Sequence, residues 1–329
     1  MTSAMIADPT MPWLATALDC RAAQIEFKAL FPHLQGVTQA HLVRHKPGRR
    51  ALIAYHLETS TGNIQILGKI RAKGTDRNSY HCQRALWEKA FGDRLGNHFA
   101  VPEPLGVVEP WRMWLQRHVP GEPLTALLPT DRGLPLMAKV AALSHKIHCH
   151  PVPTTRQHTL ADELRILGDR LQIFAQQQPQ WQSLVLDFLR HSEQLGKTLE
   201  KLSLPTTTIH RDFYADQILV DGDRLWLVDL DLYCLGNPAV DLGNFIAHIT
   251  EQSLRTYGNP VTLANRERAL KIAFCQHHPG DSQPMGEAID IYTTLTLLRH
   301  IAISARIPER RPNIPLLIDL CSDRLGHIP

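Results

Sequence analysis

One run near the middle of this chain constrains its fold more than any other: Ile209-His210-Arg211-Asp212-Phe213-Tyr214-Ala215-Asp216-Gln217-Ile218-Leu219-Val220. It is followed by Asp221-Gly222-Asp223-Arg224 and then by Leu225-Trp226-Leu227-Val228-Asp229-Leu230-Asp231. Two apolar stretches on either side of an Asp-Gly turn read as a β-hairpin. A polar loop carrying Asp212 leads into the first strand, and the returning strand brings Asp229 back beside Gln217. Asp212 on a loop can meet a substrate hydroxyl. An amide and two carboxylates at one end of a two-stranded ribbon make an oxygen cage suited to Mg²⁺. Taken singly, each of these acids is an ordinary solvated loop residue, and only their joint spacing singles them out.

The sequence on either side of the hairpin differs in character. Residues 13–34 have a helical pattern, and strands are predicted over 41–44, 51–57 and 64–70, with turns at Pro47-Gly48 and Thr61-Gly62-Asn63. A helix over 79–91 and strands at 106–108 and 113–116 complete a small α+β lobe of residues 1–119. From 120 to 329 helical periodicity dominates, over 134–147, 160–176, 181–202, 266–277 and 285–304. The hairpin is the one clear strand signal there. The expectation is therefore α+β, with a small N-terminal lobe of antiparallel sheet plus helix and a larger, mainly helical C-terminal lobe.

Composition excludes several classes. With 329 residues the chain is long enough for two lobes, and 43% hydrophobic with 20% charged residues is ordinary for a globular protein. A net charge of +3 suggests neither nucleic acid nor a membrane surface as partner. No uninterrupted apolar run reaches the length of a membrane span. The six cysteines are scattered without a Cys-x-x-Cys pair, the pattern of reduced thiols. With no signal-peptide pattern at the N-terminus either, the expected location is cytoplasmic.

The stretch from Thr207 to Ile249 resembles the catalytic core of the aminoglycoside phosphotransferase and choline kinase family, which has a bilobal protein-kinase-like fold. That family carries His-x-Asp, an Asn five residues later, a hairpin ending in Ile/Val-Asp-x-Asp/Glu, and then Gly-x-Pro-x-x-Asp-Leu. This chain has His210-Arg211-Asp212, Gln217, Val228-Asp229-Leu230-Asp231 and Gly236-Asn237-Pro238-Ala239-Val240-Asp241-Leu242. The resemblance implies ATP and Mg²⁺ as cofactors, with Asp212 as the catalytic base or hydroxyl-orienting residue. It makes Asp229 the main Mg²⁺ ligand, Gln217 the second metal-ligand position and Asp231 an auxiliary acid. His210 and Asp241 are expected to tie the loop's backbone in place. Gln217 departs from the family's usual Asn, a change shared with its maltose-phosphorylating members, and moves the carbonyl oxygen by about 1.5 Å.

In the first lobe the argument rests on pattern. Lys69, in the third strand, is placed to reach the α- and β-phosphates, held by Glu88 on the following helix. Arg71 and Lys73 are the alternatives if the register is shifted. The first hairpin, Arg44-His45-Lys46-Pro47-Gly48-Arg49-Arg50, stands where a kinase has its phosphate-covering loop but is basic rather than glycine-rich. Lys46, Arg49 or Arg50 would meet phosphates there, and a solvated basic turn is the equal alternative. Gln116-Arg117-His118-Val119 would be the hinge whose backbone binds adenine. His145 to His150 has ligand-type residues at close spacing, but a helix C-terminus favours imidazoles for dipole reasons alone. Tyr292, Arg299 and His300 are candidates for an acceptor pocket.

The function expected is transfer of the γ-phosphate of ATP to a hydroxyl of a small molecule such as a sugar, amino sugar or amino alcohol. Only nine residues separate Asp231 from Asp241, too few for the activation loop of a protein kinase. A catalytically silent kinase-shaped module is the other class, supported by Gln217 and the missing glycines and opposed by the retained Asp212 and Asp229. Residues 250–329 carry about as many bases as acids, which does not favour a polycationic acceptor. A neutral or anionic sugar-like acceptor fits the basic hairpin better.

Overall fold

The structure is a computed structural model that describes residues 8–93, 96–278, 280 and 282–326. The chain divides into two compact units. One comprises the residues up to Gly121 together with Asp221–Leu230; the other comprises Glu122–Val220 and the residues from Asp231 onward. The hairpin turn and Asp229, which the sequence reading assigns to the second lobe, cluster with the first unit.

In the first unit, the helix expected over 13–34 is two short helices, α1 (Leu14–Ala17) and α2 (Cys20–Phe27). Asp19 separates them as an N-cap, accepting from the Ala22 amide at 2.8 Å. Three long strands follow, β1 (Leu34–Lys46), β2 (Arg50–Thr59) and β3 (Gly62–Arg71), then α3 (Arg77–Leu86) and a π-helical turn over Trp87–Phe91. β4 (Phe99–Ala100), β5 (Pro104–Val108) and β6 (Met113–Arg117) complete the unit's own run. The sheet order is β1-β2-β3-β6-β5, antiparallel throughout. Phe27, Ile53, Tyr55, Ile66, Met113 and Leu115 form the core on one face, where Tyr55 donates from its buried hydroxyl to the Ala17 carbonyl at 2.8 Å.

The second unit opens with β7 (Glu122–Pro123) and α4 (Leu124–Leu127), followed by α5 (Gly133–Cys149), α6 (Leu160–Gln177) and α7 (Gln182–Lys201). β8 (Thr207–Ile209) precedes the Asp212 loop, and β9 (Ile218–Asp221) pairs antiparallel with β7. β10 (Arg224–Leu227) belongs to the first unit and runs parallel to β4. β11 (Cys234–Gly236) pairs with β8, and α8 (Ala239–Tyr257), α9 (Ala264–Gln276), α10 (Ser282–Ala305) and α11 (Ile314–Gly326) follow. α8, which the sequence reading does not place, is buried at 15 of its 19 residues. It crosses α10 closely at Gly243, where a Cβ would stand 2.5 Å from that of Tyr292. Among the described residues no helix is long and apolar enough to cross a membrane, and all six cysteines are free.

Candidate active site

β8 delivers the chain to His210, after which it leaves the sheet as the loop carrying Asp212. Asp241, in the first turn of α8 and fully buried, holds that loop by its backbone. Its Oδ2 accepts from the His210 amide at 2.9 Å and its Oδ1 from the Arg211 amide at 2.7 Å. His148 of α5 adds its Nε2 3.0 Å from Oδ2. Arg211 sits at φ +69°, a left-handed conformation that a non-glycine residue keeps only when its surroundings over-determine it. Asn244 donates to the carbonyl of buried Phe213 at 2.9 Å, so Asp212 has a fixed neighbour on each side. Gln217 aims Nε2 at Asp212 Oδ2 at 3.5 Å, a long and weak bond. Asp231 lies in a short 3₁₀ turn, with its main-chain carbonyl accepting from Arg156 at 2.5 Å.

In the first unit, Asp229 also takes a left-handed conformation, φ +60°, and its carboxylate lies 4.0 Å from the Lys69 ammonium. Lys69 further sits over the Trp114 ring, 4.8 Å from its centroid, and Tyr80 packs edge-on against that ring at 6.1 Å. Strand register extends this positive ground. Lys46 pairs with Arg50 and Arg50 with Arg71, while Arg44 and Lys69 stand two residues from members of that row and so share its face. Burial pushes the Lys46 pKa down, and Arg50, Arg44 and Arg49 push it the same way against the opposing pull of Asp229. Such crowding of like charge is the electrostatic signature of an anion site. The hairpin tip is held from below by Asp8, whose Oδ2 accepts from the Gly48 amide and meets His45 Nε2, both at 2.9 Å.

Other predicted residues fall elsewhere. Glu88 lies in the π turn, 53% exposed, and pairs with Arg84 at 2.8 Å rather than with Lys69. Arg71 is engaged by Asp76 at 3.0 Å. Gln116 is buried, with its Oε1 accepting from Gln83 at 3.2 Å, and the His118 amide donates to the Gln65 carbonyl at 3.0 Å. His145 stacks on His277 at 4.5 Å and touches Cys149 at 3.3 Å, with burial and His277 lowering its pKa to about 4. Among the described residues, no three His, Cys, Asp or Glu side chains could hold a metal. His300 is fully buried against His248, at 4.4 Å.

A buried chain behind the Asp212 loop has no local sequence signal, because its members come from three helices and a loop. His158 lies 2.7 Å from Glu163 of α6; Glu163 accepts from Arg299 of α10 at 2.7 Å; Arg299 donates to Asn244 of α8 at 2.8 Å; Asn244 holds the Phe213 carbonyl. Burial would raise the Glu163 pKa, but Arg299 and the His158 bond outweigh it and bring it down to about 2. A carboxyl with a depressed folded pKa stabilises fully above its unfolded value of 4.5, and that contribution is lost as pH falls toward 2. Its size is on the order of 3 kcal/mol. Melting followed from pH 6 to pH 2 is expected to fall more steeply below pH 4.5 in the wild type than in Glu163→Gln. Parallel curves would show that the carboxylate contributes nothing.

Comparison with known proteins gives the family and the fold. Residues 54–270 match the model of the phosphotransferase enzyme family. No curated protein matches the chain by sequence. Solved structures share its fold: a choline/ethanolamine kinase family protein from Mesorhizobium loti has a TM-score of 0.59 at 16% identity, covering 94% of this chain and 95% of that one. Choline kinase from Cryptosporidium parvum Iowa II has a TM-score of 0.61 at 13% identity over 88% and 89% of the two chains. A spectinomycin phosphotransferase in complex with ADP and its drug has a TM-score of 0.53 at 12% identity over 94% and 95%. These are protein-kinase-like folds, as the sequence resemblance implies. On the family match, which spans well over half of its length, the chain belongs to the phosphotransferase enzyme family.

Proposed function

We propose that the protein is an ATP-dependent small-molecule kinase that transfers the γ-phosphate to a hydroxyl of a sugar, amino sugar or amino alcohol in the cytoplasm. The observation that carries this reading is the approach of the Lys69 ammonium to the Asp229 carboxylate. A third-strand lysine and the carboxylate that follows the hairpin are the groups phosphoryl transfer needs on the nucleotide's phosphates and on their metal. The residues present fit both cofactors. The like-charged face around Lys46 calls for a polyanion. Mg²⁺ shared with phosphates takes only one or two protein carboxylates, so the absence of a three-ligand cluster among the described residues does not oppose it.

In this reading Asp212 accepts a hydrogen bond from the acceptor hydroxyl and takes its proton as the new O–P bond forms. Lys69, Lys46 and Arg49 offset the phosphate charge as the nucleoside diphosphate leaves. Asp229 would hold Mg²⁺, which when bound would neutralise phosphate charge. The backbone from Gln116 to His118 would flank the adenine. The acceptor is not polycationic, and within this range a neutral or anionic sugar fits the basic hairpin better than an amine.

Lys69→Met tests the carrying observation. Losing a charge-assisted contact of roughly 1.5–3 kcal/mol should raise the KM for ATP by about 10- to 100-fold. Glu88→Gln, by contrast, should leave it unchanged, since Glu88 pairs with Arg84. Steady-state kinetics on both variants decides between the two partners: an equal loss in each would restore the Lys69–Glu88 pairing, and no loss in Lys69→Met would remove the lysine from the site.

A further inference from the structure

Between β11, the end of α7 and the segment before α6 lies a cavity of about 280 Å³, just under the usual range of small-molecule pockets of roughly 300–1,000 Å³. Its floor is fixed by backbone pairing: the His158 amide donates to the Leu235 carbonyl at 2.8 Å and the Leu235 amide to Arg156 at 2.9 Å. Gly236 packs closely there: a Cβ would stand 2.6 Å from Ile209 Cδ1 and 3.2 Å from the His158 carbonyl oxygen. The walls are of mixed character, with Gln157, His158, Ser203, Thr206, Asn237 and Tyr292 supplying polar groups beside leucine and valine side chains. Ser203 at the rim takes φ +50°, a strained conformation of the kind that collects at ligand sites.

The charge pattern narrows the ligand. Among the described residues no lysine or arginine lines the cavity, and its carboxylate, Glu200, stands on an exposed position. The Glu163 carboxylate behind His158 is already met by Arg299. A phosphate or carboxylate would find no cation here. Hydroxyls and amides lining a cavity of this size suit an uncharged molecule with many hydroxyls.

The position of the cavity bears on the Asp212 loop from two directions. Asn237 and Val240, in its wall, lead directly into Asp241, which holds the His210 and Arg211 amides. His158, also in its wall, begins the chain through Glu163, Arg299 and Asn244 to the Phe213 carbonyl, with every link between 2.7 and 2.9 Å. A ligand that bonds to or packs on His158 alters its hold on Glu163, the first link.

We propose that this cavity is a second small-molecule site, taking an uncharged, hydroxyl-rich molecule of about one sugar ring, and that its occupancy is relayed to the Asp212 loop through His158, Glu163, Arg299 and Asn244. The relay rests on the reading of Asp212 as the catalytic carboxylate; the binding does not.

The test is calorimetric titration of the full chain with myo-inositol, an uncharged ring with a hydroxyl on every carbon, in the absence of nucleotide. Wild type should bind in the millimolar range. Thr206→Trp, which puts an indole at the mouth from an exposed position, should lose binding by at least about tenfold while keeping phosphotransfer. Saturating inositol should change the wild-type kcat/KM by roughly fivefold or more, and His158→Gln should bind inositol yet lose that change. No heat with wild type, or equal binding by Thr206→Trp, overturns the site. Tighter binding of inositol phosphate overturns the charge argument. Binding with no kinetic change overturns the relay alone. A protein that binds inositol through Thr206 but transfers no phosphate leaves the site standing and overturns the kinase reading instead.

Discussion

Asp212→Asn is expected to lower kcat by roughly 100- to 10,000-fold while leaving the melting temperature and the KM for ATP nearly unchanged. The size follows from the role: a positioned carboxylate that orients the acceptor hydroxyl and takes its proton acts in the transition state, not in ground-state binding. Stability should survive because other residues fix the loop's backbone. Its backbone is fixed by Asp241 on the His210 and Arg211 amides and by Asn244 on the Phe213 carbonyl. Asparagine keeps the shape and removes the basicity. Steady-state kinetics beside calorimetry separates the possibilities. A collapse of Tm would make Asp212 a structural residue, and a raised KM with unchanged kcat would make it a binding residue.

Asp241→Ala should fail in the opposite way. The carboxylate is fully buried and serves two backbone amides and His148 at once. Removing it strands buried donors, each costing about 1–3 kcal/mol, so a loss of about 3–5 kcal/mol is expected. Arg211, now released from its left-handed conformation, would let the loop relax and carry Asp212 out of register. Activity therefore falls together with stability. Asp241→Asn, which retains one acceptor oxygen, should lie between. Chemical denaturation gives the free energies, and an unchanged midpoint for Asp241→Ala would contradict the account of the loop.

The two substitutions separate what was legible in the sequence from what was not. Asp212, Gln217, Asp229, Asp231 and Asp241 are marked by spacing within 30 residues, and a hairpin with an Asp-Gly turn leaves few ways to arrange them. The amphipathic helices α5, α6 and α7 are similarly marked, each within a few residues of its predicted bounds. α8 was not among the predicted helices; 15 of its 19 residues are buried, and its polar residues Asp241 and Asn244 bond to the Asp212 loop rather than to solvent. The partner of Lys69 was misread for a different reason. Glu88 is assigned by helical register, but it is taken up by Arg84 one turn earlier on the same helical stretch and stands half exposed. The chain from His158 to Phe213 joins residues more than 130 apart in sequence, at Glu163 and Arg299, and no local pattern records such a contact.

The central claim, that this family member moves the γ-phosphate of ATP to a small-molecule hydroxyl, is tested most directly by phosphorus NMR. Mg·ATP would be incubated with a panel of sugars, amino sugars, amino alcohols and aminoglycosides. The account predicts a phosphomonoester signal growing in step with ADP for one acceptor class outside the aminoglycosides, and no such signal from Asp212→Asn. ATP that neither binds nor is consumed with any acceptor would contradict it.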